Sequence, residues 1–202
     1  MPDRRPERAP YPETVAVQAL GRIDRVTGGI VPPIQPSTTF VRGADYSPMV
    51  PGNIYARDDA PTVREAEEII AALEKAAVAR LFASGMAAIA TLLRAASDGP
   101  IVVQKGIYYG TQMFAIRALA DKGVDVRWFE ADRLETLSEA LADGTPTLVF
   151  GESPSNPWLT VLDIAAAAKI AHAHGARLAV DSTAATPIVT TPLTLGADYV
   201  IH

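Results

Sequence analysis

The chain has no cysteine in its 202 residues. That absence removes disulfides, thiolate metal sites and cysteine nucleophiles together, and it suits a reducing compartment. No run of apolar residues approaches the length that spans a bilayer. The amino-terminal stretch Met1 to Pro12 is polar and rich in Pro and Arg, without the apolar core of a secretory leader, so the expected setting is the cytoplasm. Lys and Arg form no cluster, and the net charge is -5, which argues against a nucleic-acid surface. What remains is an ordinary globular composition, 49% hydrophobic and 20% charged. A chain of this size has room for one sizeable domain plus an arm.

Prolines and glycines crowd the first part of the chain: Gly28, Gly29, Pro32, Pro33, Pro36, Pro48, Pro51 and Gly52. They predict a long extended arm over residues 1–61 with no regular element of any length. Thr62 with Glu65 three residues on reads as a capping box opening a helix through Ile69, Ile70 and Leu73. From there strand and helix alternate over 62–202. Apolar runs at Arg80 to Ala83, Ile101 to Gln104, Val124 to Phe129, Thr147 to Glu152, Arg177 to Asp181 and Asp198 to His202 predict strands. Ala-rich segments at Met86 to Ala96, Thr111 to Asp121, Leu134 to Ala142 and Ile164 to Ala173 predict the helices between them. Such alternation implies an α/β fold with a mostly parallel sheet covered on both faces.

Chemistry gathers at the carboxyl ends of these strands. Leu148-Val149-Phe150 opens into Glu152-Ser153-Pro154-Ser155-Asn156-Pro157, and Leu178-Ala179-Val180 delivers Asp181-Ser182-Thr183. Ligands of open α/β sheets bind at that edge. A carboxylate at the tip of a buried strand calls for a cationic partner, here a protonated nitrogen on a ligand. For Asp181 the plainer alternative is a turn or cap residue. Ser84-Gly85-Met86 turns a strand into a helix, where backbone amides and the helix dipole favour an anion, though a simple cap explains it as well. Tyr108, in the loop after a strand, stacks on a planar ligand in one reading and is a core ring in the other. His172 and His174 point in different directions along a helix and make no metal pair. Gly28-Gly29 lacks the context of a dinucleotide loop, Ser153 and Ser155 lack a nucleophile elbow, and Trp128 and Trp158 read as packing residues.

Six segments in register resemble the pyridoxal-phosphate enzymes of cysteine and methionine metabolism. These are Pro32 to Phe40, Tyr55-Ala56-Arg57, Ser84 to Ala88, Tyr108 to Thr111, Glu152 to Pro157 and Val180 to Thr183. The family comprises cystathionine γ-synthase, cystathionine γ- and β-lyases, methionine γ-lyase and O-acylhomoserine sulfhydrylases. The resemblance implies the large domain of the aspartate aminotransferase-like, type I pyridoxal-phosphate fold. It also implies β- or γ-elimination or γ-replacement on sulfur-containing or O-acylated amino acids, most like cystathionine γ-synthase. On this resemblance Gly85 and Met86 hold the cofactor phosphate, and Tyr55 and Arg57 reach it from a neighbouring subunit of a homodimer or homotetramer. Tyr108 stacks on the ring and Asp181 keeps its nitrogen protonated, both as catalytic members. Asn156 bonds the ring hydroxyl or the substrate carboxylate, and Thr183 lines the ring from below.

Departures from the family pattern are Ala60-Pro61-Thr62 where relatives carry Asn-Pro-Thr, and Tyr109 where they carry a first glycine. The family's Schiff-base lysine follows a His-Ser pair, which places it beyond His202. Among Lys75, Lys105, Lys122 and Lys169 only Lys105 lies near a strand end, and the family gives it no such task. The expectation is therefore the amino-terminal part of an enzyme, inactive by itself. The competing expectation is a non-catalytic α/β binding or interaction module derived from one.

Overall fold

A computed structural model describes residues 10–143 and 147–202. The polar segment Met1 to Ala9 lies outside the described residues. The chain separates into two compact units, one ending at Leu81 and the other Phe82–His202.

In the second unit five strands form one sheet: β1 Ile101–Gln104, β2 Val126–Phe129, β3 Leu148–Glu152, β4 Arg177–Asp181 and β5 Tyr199–Ile201. Their order is β2-β1-β3-β4-β5 and every pairing is parallel. The helices that return the chain are α3 Gly85–Ala95, α4 Tyr109–Phe114, α5 Glu135–Leu141, α6 Ile164–Ala173 and α7 Thr186–Val189. Preceding them, in the first unit, are α1 Pro12–Gln18 and α2 Pro61–Glu74. α4 runs on through a wide π-helical turn, Ala115–Leu119, and a 3₁₀ turn, Ala120–Lys122.

Side chains alternate across a strand, so each strand feeds two cores. Val102, Phe129, Val149, Leu178 and Val180 pack with Leu137 and Leu141 of α5 and Ile164, Ala167, Ala168 and Ala171 of α6. Ile101, Val103, Leu148, Phe150, Ala179 and Ile201 pack on the other face with Ile89 and Leu93 of α3 and Ala115 and Leu119 beyond α4. Both faces being covered explains why β1 and β3 are apolar without alternation and buried throughout.

Several expectations are corrected. Arg80 to Ala83 is not a strand: no strand pairs with it among the described residues, and Leu81 and Phe82 are exposed. Apolar sequence becomes a strand only against a neighbouring ladder. The first unit does contain a regular element, α1, which precedes the Gly/Pro-rich stretch and starts with Pro12 where a helix tolerates proline. Thr62 does not cap α2. Ala60 occupies that position, Pro61 is the first helical residue, and the Thr62 hydroxyl accepts the Gln35 N–H at 2.9 Å instead. Trp158 is 74% exposed rather than packed; Trp128 does pack, against the core under α3 and α4.

Candidate active site

The strand order reverses direction between β1 and β3: the chain leaves β1 toward β2 on one side and continues from β3 toward β4 and β5 on the other. The crevice of an open α/β sheet lies outside the carboxyl ends at such a point. The loops that leave β1 and β3 there carry Tyr108 and Asn156.

Tyr108 follows β1 and precedes α4. Its ring is 43% exposed, so it is not a core ring. It lies across Gly110, where an added Cβ would meet Tyr108 Cε1 at 2.6 Å and Met86 Sδ at 3.2 Å. The Thr111 hydroxyl faces Met86 Sδ at 3.9 Å, so the start of α4 and the start of α3 meet. α3 itself is opened by Ser84, whose side chain accepts the Ala87 N–H at 3.1 Å. The Gly85 and Met86 amides fall in the first turn, where no intrahelical acceptor exists. A Cβ at Gly85 would meet only the His202 carbonyl oxygen, at 3.8 Å, so no side chain crowds this position.

Asp181 ends β4 opposite Glu152 on one side and Ile201 on the other. It is 7% exposed. One carboxylate oxygen, Oδ1, accepts the Thr183 N–H at 3.0 Å and its hydroxyl at 2.6 Å, the geometry of an Asx turn. No Lys or Arg pairs with it among the described residues. Asn156 lies in the loop after β3, which carries cis peptide bonds at Ser153-Pro154 and Asn156-Pro157.

These pieces form one connected edge. Glu152, 5% exposed at the end of β3, accepts the Tyr108 N–H at 2.7 Å through Oε2 and the Asn156 N–H at 2.6 Å through Oε1. Burial pushes its carboxyl up from the ordinary carboxylate range, the two amides pull it down, and the nearby Asp181 charge pushes it up again, with a net rise. Gln104, closing β1, accepts the Glu152 N–H at 3.0 Å. Gly85, Met86, Tyr108, Asn156, Asp181 and Thr183 therefore occupy the carboxyl edge of a single sheet. Tyr55 and Arg57 lie in the first unit. They are paired there: Arg57 Nη2 donates to the Tyr55 hydroxyl at 3.1 Å, and the guanidinium stands 5.1 Å from the ring centroid.

Lys105 is bound to Glu130 at 3.1 Å. His172 Nε2 meets Asp198 Oδ2 at 2.8 Å, while the His174 ring faces the Ile170 carbonyl at 3.0 Å, so the two imidazoles serve different partners. Sequence reasoning placed Glu152 at this edge but missed its hydrogen bonds to two loops, and it missed Gln104 and the close approaches at Gly110 and Gly151. The available signal for Gln104 was a polar residue closing an otherwise apolar buried strand.

The arrangement suits a ligand with an anion at one end and a protonated nitrogen at the other. Open first-turn amides on an eleven-residue helix attract the first. A buried carboxylate without a basic side chain attracts the second. Pyridoxal phosphate has both groups on a planar ring.

Comparison with known proteins agrees with this chemistry. The chain is 36% identical over 195 residues to cystathionine gamma-lyase of Dictyostelium discoideum, covering 94% of this chain and 49% of that protein. It is 43% identical over 161 residues to O-succinylhomoserine sulfhydrylase of Pseudomonas aeruginosa, covering 79% and 40%. Cystathionine gamma synthase from Xanthomonas oryzae pv. oryzae, solved in complex with aminoacrylate and cysteine, superposes with a TM-score of 0.84 at 33% identity, over 96% of this chain and 50% of that one. The chain thus spans about half the length of the relatives it matches. A family description, Cys/Met metabolism PLP-dependent enzyme, matches residues 13–202. With that match and a shared type I large-domain architecture, the chain belongs to the Cys/Met metabolism PLP-dependent enzyme family.

Proposed function

We propose that the protein carrying this chain is a pyridoxal-phosphate-dependent enzyme of transsulfuration. It eliminates or replaces the β- or γ-substituent of a sulfur-containing or O-acylated amino acid, and its reaction is most like that of cystathionine γ-synthase. The single observation that carries this reading is the meeting, on one sheet edge, of open helix amides at Gly85 and Met86 with the buried carboxylate of Asp181. When bound, the cofactor supplies an electron sink for the carbanion formed at the substrate α-carbon.

Each residue has a part in this. The amides of Gly85 and Met86 bind the phosphate. Asp181 holds a proton on the ring nitrogen, and its Oδ1 is oriented for this by the two donors of Thr183, which lies below the ring. Tyr108 stacks on the ring face and excludes water from it. Asn156 orients the ring hydroxyl or the substrate carboxylate. Tyr55 and Arg57, already paired, reach the phosphate of a neighbouring copy in a homodimer or homotetramer. The cytoplasm is the proposed location, which a chain free of cysteine suits.

The assay is keto-acid release from cystathionine or methionine, and cystathionine formation from O-succinylhomoserine with cysteine, by the protein with and without added cofactor. Cofactor-dependent turnover that falls on the order of a hundredfold or more in Asp181→Asn supports the proposal. Turnover independent of pyridoxal phosphate, or none with any of these substrates, contradicts it.

A further inference from the structure

Glu152 is a buried carboxylate with no Lys or Arg paired to it among the described residues. The charged group facing it is another anion, Asp181, one strand away in direct register. Such a placement opposes stability, and an apolar side chain in its position is the cheaper way to fill a sheet end. Its two oxygens also serve two different loops. Oε2 takes the Tyr108 N–H after β1, and Oε1 takes the Asn156 N–H after β3. These loops leave the two strands that flank the reversal of sheet order. The backbone of Glu152 is itself tied to β1 by the Gln104 side chain. A neutral amide in this position turns an NH₂ group against one of the two N–H donors, so only an acceptor pair holds both loops.

We propose that Glu152 is a positioning residue. Its carboxylate clasps the amides of Tyr108 and Asn156 and so fixes the two loop segments that carry those side chains relative to Asp181, an inference that rests on reading the crevice as a cofactor site. Glu152 acts through them and makes no contact with the cofactor.

The test combines amide hydrogen exchange with cofactor binding on the protein carrying this chain. In the wild type the Tyr108 and Asn156 amides exchange slowly despite having no backbone acceptor; rapid exchange of either overturns the clasp. In Glu152→Gln the amide that faces the new NH₂ group speeds up by about 10–100-fold while the Val103 amide of β1 does not, as expected for loss of a charge-assisted acceptor. Glu152→Asp keeps the charge but is one methylene shorter, so only one of the two amides speeds up; should neither variant fold, the wild-type exchange decides. Pyridoxal phosphate, followed by quenching of protein fluorescence, binds Glu152→Gln about tenfold more weakly. The circular dichroism of the bound chromophore also changes, and Glu130→Gln, just after β2 and beyond β1 from Glu152, alters neither. Faster amides with unchanged affinity and unchanged dichroism leave Glu152 a purely structural group and overturn the positioning role. A wild type that takes up no pyridoxal phosphate sinks the cofactor reading instead, while the amide exchange still decides the clasp.

Discussion

Gly110 and Gly151 are both closely approached by neighbouring side chains, and the atoms they face predict opposite consequences. A methyl at Gly110 meets the Tyr108 ring, which is half-exposed and free to swing outward. Gly110→Ala is expected to change stability by less than about 0.5 kcal/mol yet weaken pyridoxal phosphate binding, because the stacking ring is displaced. Equal affinity in wild type and variant contradicts this. A methyl at Gly151 comes to 2.7 Å from Leu162 Cδ2 and 3.1 Å from Gln104 Oε1, both fully packed. Gly151→Ala is expected to cost about 1–3 kcal/mol in urea unfolding, since neither neighbour has space to retreat. Glu152 adds a pH dependence. Its carboxyl is raised from the ordinary value of 4.5, chiefly by burial. A raised group favours the folded state below 4.5, and that contribution is lost as pH rises through the folded-state value. The stability of wild type relative to Glu152→Gln is therefore highest in acid and falls as pH rises, and a difference that shifts in favour of wild type toward neutral pH opposes the assignment. The position of Asp181 and Asn156 at the sheet's carboxyl edge was legible because each follows an apolar run that reads as a buried strand. The clasp by Glu152 was not, since it depends on which strands are neighbours and how two distant loops curve back.

At the level of elements, periodicity located α6 to the residue, Ile164–Ala173, and the β1 and β4 strands likewise. α6 combines a continuous Ala-rich face with an N-cap, Asp163, whose Oδ1 accepts the Ala166 N–H at 2.9 Å. Asp163→Ala is expected to cost about 1 kcal/mol by chemical denaturation without changing cofactor affinity, because its side chain serves the first turn of its own helix. Where the sequence misled, a tertiary partner decided. Thr62 and Glu65 carry the spacing of a capping box, but Pro61 already starts the helix, and the Thr62 hydroxyl is taken by the Gln35 amide. Arg80 to Ala83 has strand-like apolar content, yet no ladder receives it among the described residues. Local pattern states what a segment is able to form; pairing and competition for hydrogen bonds settle what it does form.

For the whole molecule, membership of the family follows from a match across residues 13–202, while the reaction belongs to a protein about twice as long as this chain in its relatives. Among the described residues no helix is long and apolar enough to cross a membrane. The proposed sharing of sites between copies has its own consequence: a protein bearing Arg57→Ala and one bearing Asp181→Asn, each inactive alone, regain part of the activity when dissociated and reassembled together. No recovery in verified mixed oligomers places Tyr55 and Arg57 outside the neighbour's site. The central claim, that a β4 carboxylate keeps the bound heterocycle cationic, is tested most directly by nitrogen-15 NMR of ring-labelled pyridoxal phosphate on the protein. The account predicts a protonated ring nitrogen in the wild type that loses its proton in Asp181→Asn; a ring nitrogen unprotonated in the wild type, or equally protonated in both, contradicts it.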